Sequence, residues 1–495
     1  MNYGGFGWVA SNPTEALKYL VIAKNLTVSD GAYWKLMEVK VKLRCKTWES
    51  SQIEFTKWCL RMKRTNKFRL RPIKEHERAL LNLCEMSAVL WNKLNYIRRQ
   101  SFFEGRFNWE ECVDELYNEF KPIIGAATAQ QIIRKNNEAW KSFFTLLKLK
   151  SEGRLPSHVH KVSPPRYWKD KKTGRRKLMT IIRNDVYRIE EVGKKKRLIL
   201  PKGLKIKVTG SIRWEGKQGR LEIYYDDLTG RWYAHQNVEV DQPRHTISST
   251  SAKAFVDLGV MNIITAWIEG ERQCLAFSGK PLLADWLYWS HKISEHQSEL
   301  EQVNSRSTSK RIRKLYLKRQ RRFRHAINTI IHRFIKLCIN KNVSEIIVGD
   351  VSGIREGNNK GNKINAMIHN FWSFRYIIER LKTTAENFGI GVRAVKEDGT
   401  SSRCPWCHSK NVRKQKRLLK CLDCGIEAHR DVVGALNIAL LYGEGFNRVL
   451  AHPLLLHLHP AEAQTSPGCP SEGRMSQRVQ HIHTKANEIR VRRRP

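Results

Sequence analysis

At 495 residues the chain can bury several hydrophobic cores, which sets an expectation of two to four domains. Its formal net charge of +43, from 90 Lys+Arg against 47 Asp+Glu, exceeds what solubility requires and excludes a chain that works without a polyanion, so a nucleic-acid partner is expected. No apolar run approaches the roughly 20 residues that span a bilayer, and the N-terminus lacks the basic stretch and small-residue cleavage site of a secretory signal, so neither insertion nor export is indicated.

Residues 1–61 carry little pattern, whereas Met62 to Pro72 alternates basic and apolar side chains as a strand does. Met62 could be the initiator, making 1–61 an extension outside the working fold; a small ordered appendage is the alternative. From Lys74 to about Lys150 apolar residues recur at helical spacing (Leu80, Leu83, Met86, Leu90, Leu94; Leu116, Phe120, Ile123; Ile132, Trp140, Phe144, Leu147), predicting a small helical bundle. Prolines 156, 164 and 165 end it. Between Leu178 and Val240 short alternating runs separated by Gly and Asp turns predict an antiparallel sheet or barrel, joined by the strand near residue 66 and carrying the helices as an inserted lobe.

After a polar linker, 241–251, three strands are expected around Ala254–Val260, Ile263–Ile268 and Gln273–Phe277, then a long helix from about Thr308 to Lys341. The stretch from Arg306 to Arg324 holds ten basic residues and no acid. A charged helix face is usually only solvated, but charge of one sign along a structured helix favours phosphate tracking, and Arg311, Arg313, Lys314, Lys318, Arg321 and Arg322 are the candidate contacts. A strand at Glu345–Asp350, a helix at Phe371–Phe388 and a strand at Ile390–Glu397 follow. Three hairpin strands, helix, strand, helix, strand is the order of an RNase H-like fold. Beyond Tyr442 the text turns His/Pro-rich and then Ser/Gly/Arg-rich, and a disordered tail is expected.

Two CxxC pairs, Cys404/Cys407 and Cys421/Cys424, stand thirteen residues apart. Disulfides or a redox pair are alternatives, but the doubled spacing about a basic hairpin fits a structural zinc ribbon with four thiolate ligands. The other cysteines are scattered, as in reduced cytosolic chains.

Hydrolysis of a phosphodiester in such a fold needs carboxylates from separate elements converging on divalent ions. Asp257 interrupts an apolar strand, where an ionised carboxylate is costly unless paired or metal-bound. Asp431 follows the ribbon and opens a helix; a simple N-cap is its alternative. For the third carboxylate Glu397, ending one strand, is preferred to Asp350, ending its neighbour.

These pieces together resemble the TnpB family of insertion-sequence RNA-guided nucleases, related to compact type V CRISPR effectors. The resemblance rests on Val256-Asp257-Leu-Gly-Val260, the basic helix, Val348-Gly-Asp-Val-Ser-Gly-Ile354, Glu397 to Cys404, the two CxxC pairs, and His429-Arg-Asp431 through Asn437-Ile438. It spans about Met62 to Leu441. Many members carry a glutamate where this chain has Gly349, and members with Gly-Asp there often place a glutamate at the position of Glu397. The resemblance implies a multidomain α+β chain: a wedge-like β-barrel domain (62–73 and 151–245), a helical recognition lobe (74–150), a RuvC-like nuclease domain (252–400 and 431–445), the zinc ribbon (401–430), and a tail (446–495). It implies a guide RNA, a double-stranded DNA target and magnesium, as two ions held by Asp257, Glu397 and Asp431. A relative that binds DNA without cutting it, or a zinc-ribbon RNA-binding protein, are the competing readings.

Overall fold

The computed structural model describes residues 61–156, 159, 161–169, 174–193, 195–241, 251–304, 307–351, 371–396 and 402–457. The expected extension before residue 61, Glu397, and the tail from 458 onward lie outside the described residues. The chain divides into two compact units, Met1–Gln242 and Pro243–Pro495.

In the first unit, β1 (Arg61–Arg71) alternates strictly: Met62, Arg64, Asn66, Phe68 and Leu70 are buried while Lys63, Thr65 and Lys67 face solvent. Pro72 ends the strand, and three helices follow, α1 (Lys74–Phe103), α2 (Val113–Ile124) and α3 (Ala126–Ser151). Gly125, at φ +88°, adopts a backbone open to glycine and lets α3 start where α2 stops. Leu90, Trp91 and Leu94 of α1 pack with Leu116 and Phe120 of α2 and Ile132 of α3, on the seams that the helical spacing predicts, but Ile123 and Leu147 at the ends of those seams are exposed. Six further strands are β2 (Met179–Ile182), β3 (Arg188–Val192), β4 (Lys195–Ile199), β5 (Lys205–Thr209), β6 (Lys217–Asp226) and β7 (Arg231–Asp241). They form an antiparallel sheet in the order β2-β6-β7-β1-β5-β4-β3, so the early strand enters at the centre, with Phe68 opposite Ala234.

The second unit is built on a six-stranded mixed sheet. Hairpins join β8 (Ala252–Asp257), β9 (Asn262–Ile268) and β10 (Leu275–Ser278). Then come α4 (Lys280–Asn304), α5 (Lys310–Asn340), β11 (Val343–Asp350), α6 (Phe374–Glu386) and β12 (Gly391–Lys396). The ribbon strands β13 (Val412–Gln415), β14 (Leu418–Cys421) and β15 (Glu427–His429) lead into α7 (Arg430–Leu441) and β16 (Leu454–Leu456). The sheet order is β12-β11-β8-β9-β10-β16, with β11 parallel to both β8 and β12. Pleating separates two cores: Ala254, Val256, Ile346 and Val348 face α5 and α6, while Phe255 and Ile347 pack with Val432, Leu436 and Ala439 of α7.

Two sequence expectations need correction. Helix α4 was not foreseen, because the aromatic and charged text from Lys280 onward shows no clean apolar seam; its partner α5 supplies the order. Residues 446–457 are not a disordered tail: Val449 is buried, Phe446 packs beside Trp267 and Trp406, and β16 pairs in parallel with β10. Among the described residues, no helix is long and apolar enough to cross a membrane.

Candidate metal centres and the carboxylate pair

The ribbon is made by two tight knuckles. Cys404 N donates to Ser409 O and Cys421 N to Ile426 O, each at 2.9 Å, which turns both CxxC loops toward one point. There the Cys404 and Cys424 Sγ atoms stand 3.8 Å apart and those of Cys407 and Cys421 3.5 Å apart, with all four within 4.8 Å of one another. A disulfide would need about 2.05 Å. Thiolates about 2.3 Å from a tetrahedral zinc stand about 3.8 Å from each other, so the four sulfurs fit that ion. The thiols are not equivalent: burial pushes Cys404 up to about 12, whereas backbone N–H groups of Cys424 and Asp423 draw Cys421 down to about 7.

The ribbon also seats α7. Leu419 and Ala428 close over Val433, and His429 Nδ1 accepts from Asp431 N at 3.3 Å, capping the helix. For that the ring must be neutral, and burial holds its pKa below the usual histidine range, with Asp431 opposing. Val432, Ala435 and Leu436 pack α7 against Phe255 and Ile347 of the sheet.

Here two of the expected carboxylates come together. Asp257 ends β8 on the face that carries α7, and Gly434 sits directly over it: a Cβ at Gly434 would lie 2.9 Å from Asp257 Cγ and 3.0 Å from its Oδ1. Asp431, three residues earlier and hence on the same face of α7, is only 9 % exposed. Its Oδ2 accepts from buried Asn262 Nδ2 at 2.9 Å and lies 3.6 Å from an Arg417 guanidinium nitrogen. Thr265, paired across the hairpin with Asp257 and 1 % exposed, has a buried hydroxyl with no hydrogen-bond partner among the described residues.

The two candidates for a third carboxylate differ by one position in the pleat. Asp350 falls in the alternation of Ile346 and Val348, the α5/α6 side; Gly349 takes the α7-facing position of β11. In β12, Gly349 is paired with Val395, which packs in the α7 core, and Asp350 with Lys396, the last described residue before Glu397.

The basic helix is partly spoken for. Arg322 makes a two-pronged ion pair with Asp285 of α4, at 2.7 to 3.0 Å, and Lys318 Nζ stands 4.2 Å over the Trp289 ring. Arg311, Lys314 and Arg321 are exposed and Arg313 is half-buried, none with an ion-pair partner among the described residues. Sequence reasoning missed Asn262, Gly434 and Thr265. A signal existed for one of them: glycine inside a helix costs about 1 kcal/mol against alanine, so Gly434 between Val432-Val433 and Ala435-Leu436 marks a close approach.

The same regions match known families. Residues 235–355 match the OrfB_IS605 model, described as "Probable transposase", and residues 374–438 match the "Cas12f1-like, TNB domain" model. A TnpB-like protein of Acidianus two-tailed virus is 34% identical over 402 residues, covering 76% of this chain and 86% of that protein. A TnpB-like protein of Methanocaldococcus jannaschii is 28% identical over 158 residues, covering 31% of this chain and 57% of that protein. The fold is similar to that of the protein in a Cas12f1–sgRNA–target DNA complex, at TM-score 0.50 and 13% identity, covering 77% of this chain and 99% of that one. The chain, by the extent of its match to the viral protein, belongs to the TnpB family.

Proposed function

We propose that this protein is an RNA-guided DNA endonuclease that cuts by magnesium-dependent hydrolysis in a RuvC-like site. The observation that carries the reading is the convergence on one sheet face of Asp257 and Asp431, 174 residues apart in sequence, with Gly434 leaving the space that the Asp257 carboxylate occupies. Hard carboxylate oxygens, a buried amide that fixes one of them and an orphaned hydroxyl beside the other suit a hydrated magnesium ion better than a structural role. Magnesium there would supply Lewis acidity and an activated water. The chain's own residues do the rest: Asn262 orients the Asp431 carboxylate, and Gly434 permits helix and strand to meet. Arg417 brings a positive charge to the rim.

We assign Glu397 as the third ligand. It directly follows β12, whose Val395 packs in the α7 core, whereas Asp350 has the parity of the opposite core. The seven-stranded sheet with its three helices is read as the wedge-like and recognition parts that hold a guide, and Arg311, Arg313, Lys314 and Arg321 as phosphate contacts. Pairing between guide and target then supplies sequence specificity while the protein follows backbone charge.

The test is cleavage of target DNA by protein copurified with its RNA. Asp257→Ala should abolish Mg2+-dependent cutting with guide retention intact, and omitting Mg2+ should stop cutting reversibly with the zinc content unchanged. Separate Glu397→Ala and Asp350→Ala proteins decide the third ligand: loss confined to the Asp350 variant reverses the assignment. Guide-dependent DNA binding with no cutting under any metal would leave the binding-only reading, for which Gly349 is the motivating residue.

A further inference from the structure

The outer flank of α1 carries side chains that neither the bundle core nor the carboxylate site uses. From Met86 to Phe103 this helix has no acidic residue, and Tyr96, Arg99 and Phe103 follow one another at spacings of three and four. Phe103 is 66% exposed and Tyr96 55%, while Trp91, Leu94 and Asn95 on the inner flank are buried.

A second element completes the surface. Segment 165–168 is clamped along α1: Trp91 Nε1 donates to Arg166 O at 3.1 Å, Asn95 Nδ2 and an Arg99 guanidinium nitrogen each donate to Pro165 O at 3.0 Å, and Trp168 N donates to Asn92 Oδ1 at 2.7 Å. The Trp168 ring stacks on Trp91 at 4.6 Å, which locks the segment into the core. Tyr167, between these anchors, is nevertheless turned outward. The Arg99 guanidinium lies 5.5 Å from the Phe103 ring centre and 5.6 Å from that of Tyr167. A rigid backbone thus presents rings to water that core packing does not require.

Charge decides what such rings meet. Arg166 and Lys161 are exposed nearby in the chain, and Glu104 and Glu119 are tied to Arg106 and Lys93. Flat rings held rigidly beside a guanidinium that has no ion-pair partner among the described residues match the face of a base and its phosphate. We propose that Phe103, Tyr167 and Arg99, with Tyr96 alongside, form a stacking platform for unpaired bases of a single-stranded nucleic acid. The assignment does not rest on cleavage, because binding here needs no magnesium.

The full chain, freed of copurified RNA, is titrated without divalent metal into short single-stranded RNA and, in a parallel arm, DNA carrying one 2-aminopurine, and into a duplex of equal length. Phe103→Ala with Tyr167→Ala should weaken single-strand binding on the order of 5- to 100-fold and remove quenching of the fluorescent base, with duplex binding and the salt slope unchanged. Arg99→Gln should lower the salt slope by about one. Phe103→Tyr, which keeps the ring, should retain both affinity and quenching, and whichever arm loses more identifies the strand as RNA or DNA. Unchanged quenching in both arms, or equal loss for single strand and duplex, overturns the platform.

Discussion

The ribbon and the carboxylate pair are adjacent in the second unit but are assembled in opposite ways. The four sulfurs come from 21 residues and two backbone knuckles, so the site is finished as soon as a short hairpin forms. The carboxylates come from β8 and α7 and meet only once the sheet has paired and the helix has docked on it. A local site is therefore held by its ligands, and a long-range site by the packing around it. That contrast dictates where each should be vulnerable.

The largest effect is expected at Cys421. Its replacement by Ser removes a thiolate whose backbone donors already favour the charged form, and in such sites on the order of 10 kcal/mol of metal binding is folding energy. Zinc content measured by emission spectroscopy should fall below one ion per chain, proteolysis should enter residues 402–429, and cutting should fail because His429 and Val433 no longer seat α7. A stable variant that keeps its zinc would remove Cys421 from the ligand set.

The same contrast explains what the sequence disclosed. Doubled CxxC spacing is a local signal, and the apolar seam of α5 is another: Ile312, Phe323, Ile327, Ile330, Phe334 and Cys338 are buried as the periodicity requires, with Leu315 of the same seam half-buried. Asp257 stood out because an acid in apolar text is anomalous wherever it lies, and Asp431 because it follows the ribbon and opens a helix. Asn262 carried no such anomaly, since its importance exists only through a hydrogen bond to a residue 169 positions away. Helix α4 was hidden for a related reason. Its aromatic side chains answer the cations of α5 through Trp286, Trp289 and Asp285, so its pattern is legible only beside its partner.

Asn262 is where the packing-held site should yield first. Asn262→Ala frees Asp431 Oδ2 from its buried amide, and loss of such an outer partner typically costs 10–100-fold in metal affinity or activity. Cleavage rate against magnesium concentration should shift by that order, with zinc content unchanged; an unaltered magnesium dependence would mean that Asp431 needs no orienting partner. Gly434→Ala probes the same packing more gently. The added methyl meets Asp257 at 2.9 Å, overpacking that costs about 1–3 kcal/mol, against about 1 kcal/mol gained in helix propensity. The melting temperature should fall modestly while cutting falls further, because the atom displaced is the carboxylate itself.

The smallest change in stability, and the sharpest division between the two sites, is expected at Arg417. This residue belongs to the ribbon, where its carbonyl accepts from Arg430 N at 2.9 Å, yet its side chain reaches Asp431 Oδ2 at 3.6 Å. The pair is loose and the arginine side chain is 44% exposed, so it contributes at most about 1 kcal/mol to folding. Arg417→Gln should therefore leave the zinc content and melting temperature where they were. If the ribbon serves the carboxylates only by seating α7, cutting should be unchanged as well. Loss of cutting in a fully folded, zinc-loaded Arg417→Gln protein would show instead that the ribbon hands a charge directly to the long-range site, and that the two are one functional centre despite their separate construction.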